Sequence, residues 1–179
     1  KASVSGSGDN YSTFTGRSND ARTSQGQCSF ALFEGTSDYG EMLICDGANK
    51  PFFFKMTGTG ALADRTFFAG EITVDSTTAP TVGVIHENHF VVGGAPTAKN
   101  KIFFSSTLDP DSFSGSGAGS IQLTDAIVGL SSFRSDLIIF CKNSIFKLIN
   151  ISDSDNIAIV PITQNVGCLD GNSIQEIGG

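Results

Sequence analysis

Tryptophan is absent from these 179 residues, and tyrosine, histidine and methionine each occur only twice. With two histidines a Ser-His-Asp arrangement has few options, and no G-x-S-x-G elbow occurs. The four cysteines, Cys28, Cys45, Cys141 and Cys168, lack the C-x-x-C spacing of a metal site. Charged residues make up only 16%, which excludes coiled-coil and compositionally disordered classes; glycine lacks the period of collagen. No apolar run approaches the ~20 residues of a membrane-spanning helix. Cations are scarce as well, 11 against 18 acids for a net charge of −7, and they do not cluster beyond Lys99 and Lys101. A basic patch is the footprint of sequence-reading nucleic-acid binders, so that class is excluded, whereas an acidic wall past which DNA slides is compatible with the charge. The chain opens at Lys1 with no signal-peptide pattern, and reads as a processed product or a piece of something longer.

Phenylalanine, by contrast, occurs 15 times and glycine 21, the usage of aromatic-rich strands joined by tight turns. The first 27 residues are polar, with Tyr11 and Phe14 their only large apolar side chains, and Cys28, Phe30 and Leu32 then alternate as a short strand. A unit follows three times. Leu43-Ile44-Cys45 turns at Asp46-Gly47 and resumes at Phe52-Phe53-Phe54-Lys55; Phe90-Val91-Val92 turns at Gly93-Gly94 and resumes at Ile102-Phe103-Phe104; Leu137-Ile138-Ile139-Phe140 turns at Lys142-Asn143 and resumes at Ile145–Ile149. Each is a hairpin, and two of the turns use residues that tolerate positive φ. The turns lie 46 and 50 residues apart, the period of propeller blades. Further strand candidates at Phe67-Phe68, Ile72–Val74, Val82–Ile85, Ile121–Leu123 and Ile157–Ile162 bring each repeat to about four strands.

The fold class expected is therefore all-β, a propeller-like segment of about three four-stranded blades, incomplete beside the 4–8 blades of a closed propeller and so part of a longer chain or ring assembly. The division is 1–39 as a polar strand and loop segment, then repeats at 40–84, 85–129 and 130–166, with a further one starting at 167–179. Missing blades leave unpaired edges and an apolar face, to be covered by a longer polypeptide or by partner chains. The core expected is Phe52, Phe53, Phe54, Phe103, Phe104, Phe140 and Phe146, with Leu43, Ile44, Val91, Ile138 and Ile139.

Three stretches carry a resemblance: Cys45-Asp46-Gly47-Ala48-Asn49-Lys50-Pro51-Phe52; Lys101-Ile102-Phe103-Phe104-Ser105 leading to Leu108-Asp109-Pro110-Asp111-Ser112-Phe113; and Ile127-Val128-Gly129-Leu130 through Phe133-Arg134-Ser135-Asp136 to Phe140. Asn165-Val166-Gly167-Cys168 with Ser173-Ile174 extends it. Together they resemble β-propeller virion proteins of tailed bacteriophages, especially the hub and nozzle, or head-to-tail connecting, proteins of short-tailed phages. The resemblance implies a structural virion protein of the tail, assembled in the host cytoplasm. It implies a homo-oligomeric ring, often of six copies, that forms part of the DNA ejection conduit and docks portal, tail and fibre proteins, with no membrane. Two alternatives stand beside it: a propeller module that binds carbohydrate or protein, and a propeller glycoside hydrolase, whose two carboxylates could lie far apart in the chain.

Candidate chemistry is thin. His86-Glu87-Asn88-His89 resembles a zinc motif, but its histidines are three apart rather than four, and side chains three apart on a strand point to opposite faces; they are expected as solvent-exposed turn residues. Gly115-Ser116-Gly117-Ala118-Gly119 lacks the following helix that a phosphate-cradling loop needs. Asp109-Pro110-Asp111 and Asp153-Ser154-Asp155-Asn156 lack the spaced ligands of a calcium loop and read as turns. Cys45 and Cys141 occupy the same place in their repeats, at the end of the first hairpin strand, and so lie too far apart for a disulfide; all four cysteines are expected free and mostly buried. The sequons at Asn10 and Asn150 carry no weight. The expectation is a structural protein, not an enzyme, with no catalytic residue, no cofactor and no metal.

Overall fold

The computed structural model describes residues 28–34, 40–57, 66–75 and 79–175. Tyr11, Phe14, Asn10 and the last residues of the further repeat, 176–179, lie outside them, as do the side chains of Phe67 and Phe68. The described residues are all-β, forming three four-stranded antiparallel sheets. Sheet 1 contains β1 (Ser29–Phe33), β2 (Glu41–Cys45), β3 (Phe52–Thr57) and β4 (Thr66–Glu71). Sheet 2 contains β5 (Val82–His86), β6 (His89–Gly93), β7 (Lys101–Phe104) and β8 (Gly119–Gln122). Sheet 3 contains β9 (Ile127–Phe133), β10 (Asp136–Cys141), β11 (Ile145–Ile149) and β12 (Ala158–Thr163). Strand order within each sheet follows the chain, so each is an up-and-down blade.

The hairpins that recur in the sequence are the two inner strands of each sheet, β2–β3, β6–β7 and β10–β11. Sheet 1 therefore begins a strand before position 40, while positions 85 and 130 fall inside β5 and β9, the first strands of sheets 2 and 3. The first strands are the ones with a weak apolar signal, because they approach each other closely. β1 packs against β5, and β5 against β9. Between β1 and β5 the Ser29 hydroxyl donates to the Gly83 carbonyl at 3.0 Å and accepts from the Gly83 amide at 3.1 Å. A side chain at Gly83 would meet the Phe90 ring at 2.7 Å and the Cys45 sulfur at 3.0 Å. Beside β9, a short 3-10 turn at Gly171–Ser173 continues the series, with Ile174 lying over Gly129.

Sheet 2 is the middle layer, and its residues divide by alternation. Phe90, Val92 and Phe103 pack towards sheet 1 with Phe33, Leu43, Cys45 and Ile72. Val91, Ile102 and Phe104 pack towards sheet 3 with Leu137, Ile139, Cys141, Phe146 and Leu148. Register enforces the split, since Val91 pairs with Phe104 and Val92 with Phe103 across β6 and β7. Phe53 lies over Gly70 and Phe104 over Gly119, each directly across from the glycine, so rings on third strands close over fourth strands that carry no side chain there.

The expected core is buried at Leu43, Ile44, Val91, Ile139, Phe103, Phe104 and Phe146. Phe52, Phe53, Phe54, Ile138 and Phe140 are only half-buried. Phe53 faces sheet 2, whereas Ile44, Phe52 and Phe54 belong to the opposite face of sheet 1, and Ile138 and Phe140 to the outward face of sheet 3. Phe90, Ile102, Leu137 and Leu148 are among the fully buried core residues outside that expectation.

Phe90 is fully buried and stacks edge-on against Phe113 at 6.2 Å between ring centres. Phe90→Ala is expected to lower unfolding free energy by about 3–5 kcal/mol, read by denaturant titration. Leu169→Ala, at a residue 93% exposed, should stay within about 0.5 kcal/mol of the parent.

Candidate functional site

The histidines are the largest departure from expectation. His86 and His89 are buried, not exposed, at 1% and 0%. Glu87 and Asn88 both take positive φ, 45° and 64°, as the tight two-residue hairpin turn requires. The turn places His86 directly opposite His89 as cross-strand partners, so both face sheet 3 rather than opposite sides. Alternation along one strand does not apply once a turn intervenes.

The His89 Nδ1 lies 2.6 Å from the Ser105 carbonyl and so carries the proton. Its Nε2 is left to accept, facing the Thr107 hydroxyl at 3.2 Å and the Ser152 hydroxyl at 3.4 Å. Ser152 also lies 3.3 Å from a Glu87 carboxylate oxygen. An imidazole with one nitrogen fixed and the other against hydroxyls is what a general base needs. Here it also ties the loop after β11 to the β5–β6 turn, and so sheet 3 to sheet 2. Of these residues Thr107 and Ser152 line a cavity of about 470 Å³, together with Phe104, Gly117, Ile151 and Ile157. His86 Nδ1 meets the Ser132 hydroxyl at 2.8 Å, while its Nε2 is buried without a partner. Burial pushes the His86 pKa below its ordinary value, against the opposing pull of Glu87 and Asp136.

The acidic pairs have become turns. A hydrogen bond to Asp111, followed by burial, pushes the Asp109 carboxyl up to about 6. Carboxyls in direct contact are closer than the roughly 5–5.5 Å of a retaining glycosidase pair. Lys55 approaches Asp111 at 3.7 Å and Glu41 at 3.4 Å and stacks on Phe53, linking sheet 1 to the loop after β7. Asp153 accepts from the Asn156 amide at 2.7 Å and the Asp155 backbone at 3.1 Å, which holds its carboxyl below the usual range. Burial pushes Asp125 up, but hydrogen bonds from Asn143, Ser144 and Ala126 outweigh it and hold its carboxyl low, fixing the β10–β11 turn. After Gly115 and Gly117 comes strand β8, so no helix N-terminus faces that loop. Among the described residues no group of three or more His, Cys, Asp or Glu side chains is placed to hold a metal.

All four cysteines are free, but only Cys45 and Cys141 are buried; Cys28 is exposed and Cys168 half-buried. Cys45 and Cys141 both point at sheet 2, from its two sides, and thus sit on opposite faces of their own sheets. They are out of phase by one residue, which flips a side chain across a sheet. Burial, with Asp46 nearby, pushes the Cys45 thiol far up, and burial raises Cys141 to about 11.

The first strands border a cavity of about 560 Å³, lined by Cys28, Asp46, Thr81, Gly129 and Asp170 among others. Apolar side chains also stand on the outward faces of sheets 1 and 3. On the face of sheet 1 turned away from sheet 2, Phe30 is 64% exposed, Leu32 58% and Met42 46%, beside Phe52 and Phe54. The outward face of sheet 3 presents Ile138, Phe140, Ile145, Ile149 and Val160, partly overlaid at one end by residues 167–175. No family model, curated protein or solved structure matches the chain.

The fold holds His86 neutral, whereas the unfolded chain takes up the proton near 6.5. Stability should therefore be whole above that pH and fall as pH drops through it, with His86→Gln flattening the difference between pH 7.5 and 5.5 in denaturant titrations. Asp109 works in the opposite sense, its contribution being lost as pH rises towards 6, so the comparison with the variant isolates the histidine. Alkylation of the native protein should label Cys28 first, with Cys45 and Cys141 modified only after unfolding, as peptide mass mapping would show.

Proposed function

We propose that this chain is a structural component of a bacteriophage tail, at the hub, nozzle or head-to-tail junction, forming part of the DNA conduit and docking neighbouring tail proteins. It works in the virion after assembly in the host cytoplasm, and its work is done by faces rather than by a reactive group. The observation that carries the reading is the outward face of sheet 1, where Phe30, Leu32 and Met42 stand exposed on one side of a blade. An apolar face of this kind marks an interaction surface. The motifs that resemble phage propeller proteins point to the particle, and a net charge of −7 suits a passage that does not retain DNA.

Tail particles imaged from cells that produce this chain should carry it at fixed symmetry around the axial channel below the portal. Purified particles without it, or with it away from the channel, would overturn the assignment. Glycan-array binding by the isolated chain would favour a binding module instead, and turnover abolished by one carboxylate substitution would favour a hydrolase.

A further inference from the structure

We infer that the cavity of about 470 Å³ between the loop after β7 and the loop after β11 binds one neutral sugar ring. The inference rests on this cavity alone and goes beyond the tail reading, which the particle image tests separately.

The floor of the cavity is hydrocarbon. Phe104 and Ile151 belong to the core between sheets 2 and 3, and Ile121 and Ile157 pack against that core at its edge; all four line the cavity. The rim is made of hydroxyls: Thr107 and Ser116 from the first loop, Ser120 from β8, Ser152 and Ser154 from the second loop. The Gly115–Gly119 tract, which carries no helix, keeps the space open instead. A side chain at Gly117, where φ is 81°, would stand 3.2 Å from the Thr107 hydroxyl. One at Gly119 would run into the Phe104 ring at 2.7 Å.

Hydrogen-bond direction decides what the rim offers. The His89 Nδ1 proton is given to the Ser105 carbonyl at 2.6 Å, which leaves Nε2 able only to accept. The Thr107 hydroxyl therefore donates to Nε2 at 3.2 Å, and the Ser152 hydroxyl donates to the Glu87 carboxylate at 3.3 Å. A hydroxyl has one proton and two lone pairs. With their protons turned away, Thr107 and Ser152 present lone pairs to the cavity and accept from a ligand's O–H. Ser116, Ser120 and Ser154 are exposed and rotate to donate or accept.

The ligand class follows by elimination. Among the described residues no charged side chain lines the cavity. A phosphate, carboxylate or ammonium would lose water there with no opposite charge to replace it. A purely apolar ligand would strip water from the hydroxyls and return no hydrogen bond. A sugar ring complements both parts, with C–H faces for the floor and hydroxyls for the rim. The volume also lies within the roughly 300–1,000 Å³ of small-molecule sites that combine apolar walls with a few placed polar groups.

The test is saturation-transfer NMR of the 179-residue chain with free glucose, galactose and mannose rather than immobilised glycans. At least one hexose should bind. Its 6-phosphate, its uronate and cyclohexanol, a ring of like size with one hydroxyl, should each bind about tenfold more weakly or less. Thr107→Val, which keeps the shape and removes the hydroxyl, and Ser152→Ala should each weaken that hexose about fivefold, the worth of one net hydrogen bond. Both side chains are exposed, so circular dichroism should not change. Ser114→Ala, at an exposed hydroxyl outside the cavity, should bind as the parent does. Silence from all three hexoses overturns the inference. So does binding that either cavity variant leaves unchanged, which puts the ring elsewhere. A charged sugar or cyclohexanol held as tightly as the hexose overturns it too, since the groove is then an ionic or a purely apolar site.

Discussion

Successive side chains on a β-strand point to opposite sides, and in sheet 2 both sides are inside the protein. Phe90 and Val92 reach sheet 1 while Val91, between them, reaches sheet 3. At ~1.5–3 kcal/mol for each large apolar side chain buried, the two layers on either side of sheet 2 supply the main cohesion of the described residues. Among the described residues sheets 1 and 3 are packed fully on one face only, with residues 167–175 over one end of sheet 3's other face. Each is held by one face, and the polar ties at the margins, Ser29 to Gly83, Lys55 to Asp111 and His89 to Ser152, set how the sheets sit on one another rather than how strongly.

Those ties explain why the chemistry of this chain differs from its look in sequence. His86-Glu87-Asn88-His89 reads as a polar turn, and its two central residues are indeed a turn. What the sequence hides is that Glu87 and Asn88 accept positive φ without glycine, which brings the flanking histidines together on a buried face. Asp109, Asp111 and Asp153 spend their carboxylates on one another and on nearby donors, the ordinary work of such residues in turns.

The hairpins were legible because their apolar runs are long and bounded by Asp46-Gly47, Gly93-Gly94 or Lys142-Asn143. The first strands were less so. β9 runs from Ile127 through Gly129, Ser131 and Ser132, and β5 contains Gly83, small residues where neighbouring strands or the 167–175 segment come close. Facing could not be assigned within Phe52-Phe53-Phe54 or Leu137-Ile138-Ile139-Phe140, because a run without alternation gives no phase. The same absence of phase put Cys45 and Cys141 in apparent equivalence, although a single residue of offset sends them to opposite faces of their sheets.

An unphased run is itself informative, since it is the pattern of a strand with apolar surroundings on both sides. In sheet 2 those surroundings are present on both sides; in sheets 1 and 3 the described residues supply them in full on one side. Among the described residues the outer faces of sheets 1 and 3 are thus apolar surfaces less fully packed than the two internal layers. Substitutions at Leu43 or Leu137 act on contacts made within the chain, whereas substitutions at Phe30 or Ile138 act on what the chain can meet. Interior packing and outward recognition are in this fold the two sides of the same strands, separated by one residue of register.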